Sequence, residues 1–299
     1  MRSIMSIYAE HYLRSTGYKK RVNDVNGMAA YLEERRLANK CPNEVPSSLK
    51  MKSPVDKKLI NGMEVFYINK SSVRNNKQVL YLHGGGYIEQ PVPEHWKFLD
   101  KLAGATGALI TMPIYPKAPD YQYTDTFERL LSLYKSLLYD TDAKNIIFMG
   151  DSAGGGLALA LAEYLLEKGL PQPGKLILLS PWLDITMENP DIPALDSKDP
   201  SLGIYGLIQM GKAWAGGTDP HNYMLSPVYG SVLGLGEITI IAGGHEVLLP
   251  DIRKFNALAE KQNVKINYYE YPKMNHVFPL FPIPEAKKAQ RQIFDIIKS

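Results

Sequence analysis

The feature that most restricts what this chain can fold into is a turn, Gly150-Asp151-Ser152-Ala153-Gly154. An apolar run, Asn145–Met149, leads into it, and a helical run, Ala153 to Glu167, leaves it. A strand that passes into a helix this sharply forces strained backbone at the central residue, and the flanking glycines let strand and helix pack closely. The Ser152 hydroxyl is thereby lifted into the crevice at the carboxyl end of a sheet, with a helix N-terminus behind it that favours developing negative charge. That is where a serine nucleophile is expected.

Other runs with strand character are Glu64–Ile68, Val79–His83, Ala108–Ile114, Lys175–Ser180, Ile238–Ala242 and Lys265–Tyr271. Several, such as Leu176-Ile177-Leu178-Leu179, are continuously apolar, as a strand buried on both faces of a parallel sheet must be. Helix-period segments lie between them. Phe127, Leu130, Leu131, Tyr134, Leu137 and Leu138 share one helical face, and Ala286, Ala289, Ile293, Ile296 and Ile297 share another. The alternation predicts an α/β fold whose central, mainly parallel sheet is flanked by helices. Residues 1–58 read as helical, with no strand of their own, and precede a catalytic domain over 59–299. An insertion over about 185–225 is rich in Pro, Asp and Gly and carries a helical piece, Leu202 to Trp214. Both stretches are expected to form a cap above the sheet; the alternative for the insertion is a plain surface loop.

Composition narrows the function. Hydrophobic residues make up 45% of the 299, enough for a sizeable core. A formal net charge of +3, spread along the chain, gives no electrostatic reason for a nucleic-acid partner. The cluster Lys19-Lys20-Arg21 is short and reads as a solvated turn. Cys41 is the single cysteine, so neither an internal disulfide nor a multi-cysteine metal site is available. The first residues lack an apolar signal core, and the most apolar run, Gly156 to Ala162, is too short to cross a bilayer. A cytoplasmic protein is expected, with no membrane partner; the sequence does not fix its oligomeric state.

His83-Gly84-Gly85-Gly86-Tyr87 follows a strand directly. Consecutive glycines let backbone amides approach an oxyanion unobstructed, and Ala153, next to the serine, offers another N–H. No Lys-Ser/Thr follows the glycines, which excludes a phosphate loop. HGGGY, GDSAGG, Ser180-Pro181-Trp182-Leu183-Asp184 and Asn275-His276-Val277-Phe278, in that order, resemble the hormone-sensitive-lipase-like family of bacterial esterases, a branch of the α/β-hydrolases. The resemblance covers roughly residues 78–299. It implies carboxylesterase activity, usually on short acyl chains, a helical cap, and an oxyanion hole from Gly85, Gly86 and Ala153. Tyr115-Pro116-Lys117-Ala118-Pro119-Asp120 matches the family's YRLAPE segment only in part.

A serine needs a base tuned near neutrality. Of the 6 histidines, His276 follows the last strand and precedes the final helix, the expected place for the base. His83 is expected to orient the glycine loop, and His11, His95 and His221 to be surface or packing residues. For the acid two carboxylates after Ile238–Ala242 qualify, Glu246 and Asp251. Set against the family's D-P-L-type segment, Glu246 takes the triad position and Asp251 the downstream one, where it also suits a helix start beside Pro250. His245-Glu246 lacks the second histidine of a zinc signature, since position 249 is Leu249, so neither metal nor cofactor is expected. Tyr87, Met210 and Trp214 are candidate lining residues for a small-molecule ester. A deacetylase, amidase or peptidase on the same triad, or a non-catalytic ligand-binding relative, are the rival readings, and the lack of an evident amphipathic lid favours an esterase over a long-chain lipase.

Overall fold

The structure, a computed structural model, describes residues 2–72 and 74–299. Its centre is an eight-stranded sheet in the order β1-β2-β4-β3-β5-β6-β7-β8. The strands are β1 (Val55–Ile60), β2 (Met63–Ile68), β3 (Gln78–Leu82), β4 (Leu109–Pro113), β5 (Ile146–Asp151), β6 (Lys175–Leu179), β7 (Glu237–His245) and β8 (Asn267–Asn275). From β4 to β8 every neighbouring pair is parallel, while β1 and β2 join antiparallel at one edge.

The helices are α1 (Ile4–Ser15), α2 (Tyr18–Val22), α3 (Met28–Ala38), α4 (Pro93–Thr106), α5 (Tyr123–Asp140), α6 (Ala153–Glu167), α7 (Pro193–Asp196), α8 (Ile204–Ala215), α9 (Leu249–Lys261) and α10 (Pro284–Lys298). Strand residues alternate between two cores. Leu80 and Leu82 of β3 join Phe127 of α5 and Leu157 of α6 on one face. Val79 and Tyr81 join Leu99 of α4 and Ile293 of α10 on the other. Both α2 and α3 pack on α8, so the N-terminal helices and the insertion meet above the sheet.

One element departs from the sequence expectation. Residues 55–60, assigned to a helical segment ending near 58, form strand β1. Its sequence, VDKKLI, lies mostly exposed at the sheet edge and carries no apolar alternation. Lysines there suit an edge that must not pair with another chain. The missed signal was the turn: Asn61 and Gly62 both have positive φ, 50° and 72°, and Ile60 pairs with Met63, a two-residue hairpin of the kind Asn-Gly favours. Residues 41–54 are likewise not helical.

The sheet positions the site through its crossover. β3 lies between β4 and β5, so the chain leaves β3 toward one side and returns on the other, and a crevice opens at the carboxyl ends. Leu82 pairs with Gly150, so the loop after β3 and the turn after β5 emerge side by side. The approach is close: a Cβ on Gly154 would stand 2.0 Å from the Leu82 carbonyl oxygen. Ser152 itself is held at φ 54°, ψ −124°, a strained conformation.

Behind the turn, α6 buries an acid. Glu163 is almost fully enclosed, and neither carboxylate oxygen has a hydrogen-bond partner among the described residues. Burial pushes its pKa well above the ordinary 4.5. The unfolded chain therefore ionises at lower pH than the folded one, and this group costs stability as pH rises above 4.5. Glu163→Gln removes that dependence. Melting temperatures of wild type and variant at pH 5 and pH 8 should diverge, the wild type losing more stability across the interval.

Candidate active site

Ser152 follows β5 directly and leads into α6. Its N–H donates to Leu179 O at 2.9 Å, and its carbonyl accepts from Gly156 at 3.1 Å and from Trp182 at 2.9 Å. The turn is thus tied both to its own helix and to the segment after β6. Ser152, His276, Gly84, Gly85 and Gly86 line one cavity of about 810 Å³.

His276 lies just beyond β8, and Glu246 just beyond β7. Nδ1 of His276 is 2.5 Å from Glu246 Oε2, and the other oxygen of Glu246 accepts from the Gly243 N–H at 2.7 Å. Glu246 is fully buried. Burial works against the charged imidazole, but the hydrogen bond and charge of Glu246 outweigh it and hold the His276 pKa above the ordinary 6.5. With Nδ1 committed to the carboxylate, Nε2 is the atom free to take a proton. No hydrogen bond joins it to the Ser152 hydroxyl among the described residues; such bonds are often long until a substrate tightens the site.

Asp251 lies elsewhere. It sits in the first turn of α9, accepts from Asn189 Nδ2 at 2.8 Å, and is pushed by burial up to about 6, Asn189 opposing and Asp184 adding to the shift. The structure therefore brings Glu246, and not Asp251, to His276. The approach of β7 to β8 that allows this needs Gly243, where a Cβ would stand 2.4 Å from Met274 O.

The glycine loop is held by Asp151. One carboxylate oxygen accepts from Gly84 N–H at 2.9 Å and from Tyr81 Oη at 2.6 Å; the other lies 3.2 Å from His95 Nε2. Burial would raise the Asp151 pKa, but the His95 charge and hydrogen bonds bring it below its usual value. For His95, burial opposes the charged form and Asp151 prevails, raising its pKa. His95, expected to be a packing or surface residue, is buried on the cavity wall with its Nε2 against the Asp151 carboxylate. Its importance depends on a contact 56 residues along the chain, which no local pattern announces.

Gly84 N–H being engaged, the N–H groups of Gly85, Gly86 and Ala153 remain without a protein partner among the described residues. Gly85 and Gly86 adopt φ 118° and 59°. His83 Nδ1 meets Gly84 O at 2.7 Å, and its ring stacks on Tyr115, whose Oη donates to His83 O at 2.7 Å. This fits the expected orienting role.

Of the candidate lining residues, Met210 lies on the cavity wall, while Tyr87 and Trp214 do not. Those two stack at 4.5 Å, with Trp182 on the far side of Tyr87 at 5.5 Å. Tyr87, at φ 64°, sends its ring back toward α6 as packing. Among the described residues no group of His, Cys, Asp and Glu is arranged to hold a metal, and no helix is long and apolar enough to cross a membrane.

A family model described as the α/β-hydrolase fold matches residues 79–280. The chain belongs to that family. An acetyl-hydrolase from Streptomyces hygroscopicus is 30% identical over 72% of this chain and 73% of its own length. Among solved structures, a Staphylococcus aureus protein described as a candidate esterase superposes with a TM-score of 0.89 at 35% identity, covering 93% of this chain and 94% of that one. An esterase from the bacterial hormone-sensitive lipase family superposes at 0.84 with 26% identity, over 100% and 98%. The α/β-hydrolase is thus similar to the esterases that its motifs resemble.

Exchange of the two acids separates their roles. Glu246→Gln should lower kcat/KM for an ester by roughly a thousandfold or more, Asp251→Asn far less. With His276 as the base, the acid limb of the pH–rate profile should lie above 6.5 in the wild type and shift downward in Glu246→Gln. Equal losses in the two variants would remove Glu246 from its place.

Proposed function

We propose that this chain is a carboxylic ester hydrolase that works through an acyl-enzyme on Ser152. The observation that carries the reading is the convergence, in one cavity, of a strained serine, an imidazole oriented by a buried carboxylate, and backbone N–H groups without partners among the described residues. The names of its relatives, acetyl-hydrolase and esterase, point the same way.

Ser152 attacks the ester carbonyl while His276 Nε2 takes its proton. Glu246 keeps the imidazole in the useful tautomer and stabilises the imidazolium. Gly85, Gly86 and Ala153 donate to the oxyanion; each such donor is typically worth about 3 kcal/mol at the transition state. The imidazolium then returns its proton to the leaving alcohol, and water repeats the sequence on the acyl-enzyme. The α1, α2 and α8 helices wall the cavity and restrict water.

A short acyl chain suits the loop side of the cavity. Met210 packs against the glycine loop so closely that a Cβ on Gly86 would stand 2.6 Å from its sulfur. Space for the alcohol lies on the opposite side, toward α1 and residues 280–283.

Nitrophenyl esters from acetyl to palmitoyl test the reading. Wild type should release nitrophenol fastest from the short chains, and Ser152→Ala should lose at least about four orders of magnitude in kcat. Release that survives in Ser152→Ala, or a rate that climbs steadily to palmitoyl, would overturn it.

A further inference from the structure

Helix α1 carries an apolar face that none of the described residues covers. Ile4, Ile7, Tyr8 and Tyr12 follow the i, i+3, i+4, i+8 spacing of a single face, with Met5 beside them. All are exposed: Ile4 to 72%, Tyr8 to 71%, Tyr12 to 69%, Met5 to 53% and Ile7 to 42%. Isolated exposed apolar side chains are ordinary, but a contiguous set on one helix marks a surface that meets something.

The helix is not loosely attached. Ser3 N–H and Ser3 Oγ donate to the Glu285 carboxylate at 2.6 and 2.8 Å, fixing the start of α1 against α10. At the other end Arg14 donates to the carbonyls of Ser197 and Lys198 at 3.2 and 3.1 Å. The one acid of the helix, Glu10, is paired with Arg2 at 2.5 Å and with Arg14 at 2.9 Å, leaving no unpaired negative charge on α1. The exposed face is therefore preformed and free of carboxylates.

Its location identifies the occupant. Met5, Tyr8 and Tyr12 are exposed and also line the cavity that holds Ser152, so outer face and inner wall are one continuous apolar surface. A second protein copy seated there would cover the cavity's mouth. A phase that contains the substrate would instead feed it. Tyrosines at the rim suit such a boundary, since the ring is apolar and the hydroxyl stays wet.

We infer that the α1 face docks reversibly on an ester-bearing lipid–water interface, from which substrate passes along Met5, Tyr8 and Tyr12 to Ser152. The inference rests on the esterase reading and adds a surface to it. The sequence shows no such lid because His11, Glu10 and Arg14 interrupt the apolar pattern; only burial reveals which of the apolar residues face outward.

The experiment measures tributyrin hydrolysis across its solubility limit, together with flotation on tributyrin-loaded phosphatidylcholine vesicles. Ile4→Glu/Ile7→Glu is compared with wild type; both positions are exposed and lie outside the cavity lining, and Ile4→Ser/Ile7→Ser is a milder pair. Nitrophenyl acetate, which stays dissolved, reports the basal activity. The wild type should accelerate once tributyrin forms droplets and should float with vesicles. The Glu pair should keep its nitrophenyl acetate rate and partition about a hundredfold less. A wild type that hydrolyses nitrophenyl acetate yet neither accelerates nor floats overturns the docking and leaves the esterase reading intact. A wild-type dimer by sedimentation that the Glu pair dissociates, without flotation, assigns the face to a second copy and also overturns it. No hydrolysis of nitrophenyl acetate by the wild type would defeat the esterase reading itself.

Discussion

The site depends on how closely the ends of β3 and β5 can approach. Gly154 passes beneath the Leu82 carbonyl at a distance that admits no side chain, and Gly150 meets the Gly154 backbone, where a Cβ would stand 2.3 Å away. That contact holds Ser152 in its strained conformation and sets the glycine loop beside it. Strain of this kind persists only where the surroundings fix the backbone from several directions. Here they do so through hydrogen bonds from Ser152 N–H to β6 and from Trp182 and Gly156 to its carbonyl.

Charge completes the arrangement at two buried pairs. Asp151 and His95 join the serine turn, the glycine loop and the start of α4. Glu246 and His276 join the ends of β7 and β8. In both, burial alone would disfavour the charged histidine, and the facing carboxylate reverses that. The first pair holds the glycine loop; the second orients the imidazole proposed as the base. An unpaired buried charge would be costly in either place, so each carboxylate also takes a backbone N–H, from Gly84 and from Gly243.

How much of this is legible in the sequence follows from whether the physical cause is local. The serine turn, the glycine loop and the continuously apolar strands are written in adjacent residues, and the structure places them as the pattern implies. Glu246 is harder, because Asp251 close by is also a carboxylate; the resemblance to the family's segment favours Glu246, and the structure sets it against His276. The pairing of His95 with Asp151, and the stacking that turns Tyr87 and Trp214 away from the cavity, depend on contacts between distant segments. β1 was hidden for a different reason: an exposed, charged edge strand has no apolar period, and the Asn61-Gly62 turn was its one local sign.

The central claim is that Ser152 is the nucleophile. The most direct measurement is covalent trapping: incubate the protein with a small nitrophenyl phosphonate, digest it, and locate the adduct by mass spectrometry. The account predicts one phosphonyl group, on the peptide carrying Ser152, with activity against esters lost in proportion to labelling. A modified protein whose adduct lies on another residue, or full loss of activity with Ser152 unmodified, would contradict it.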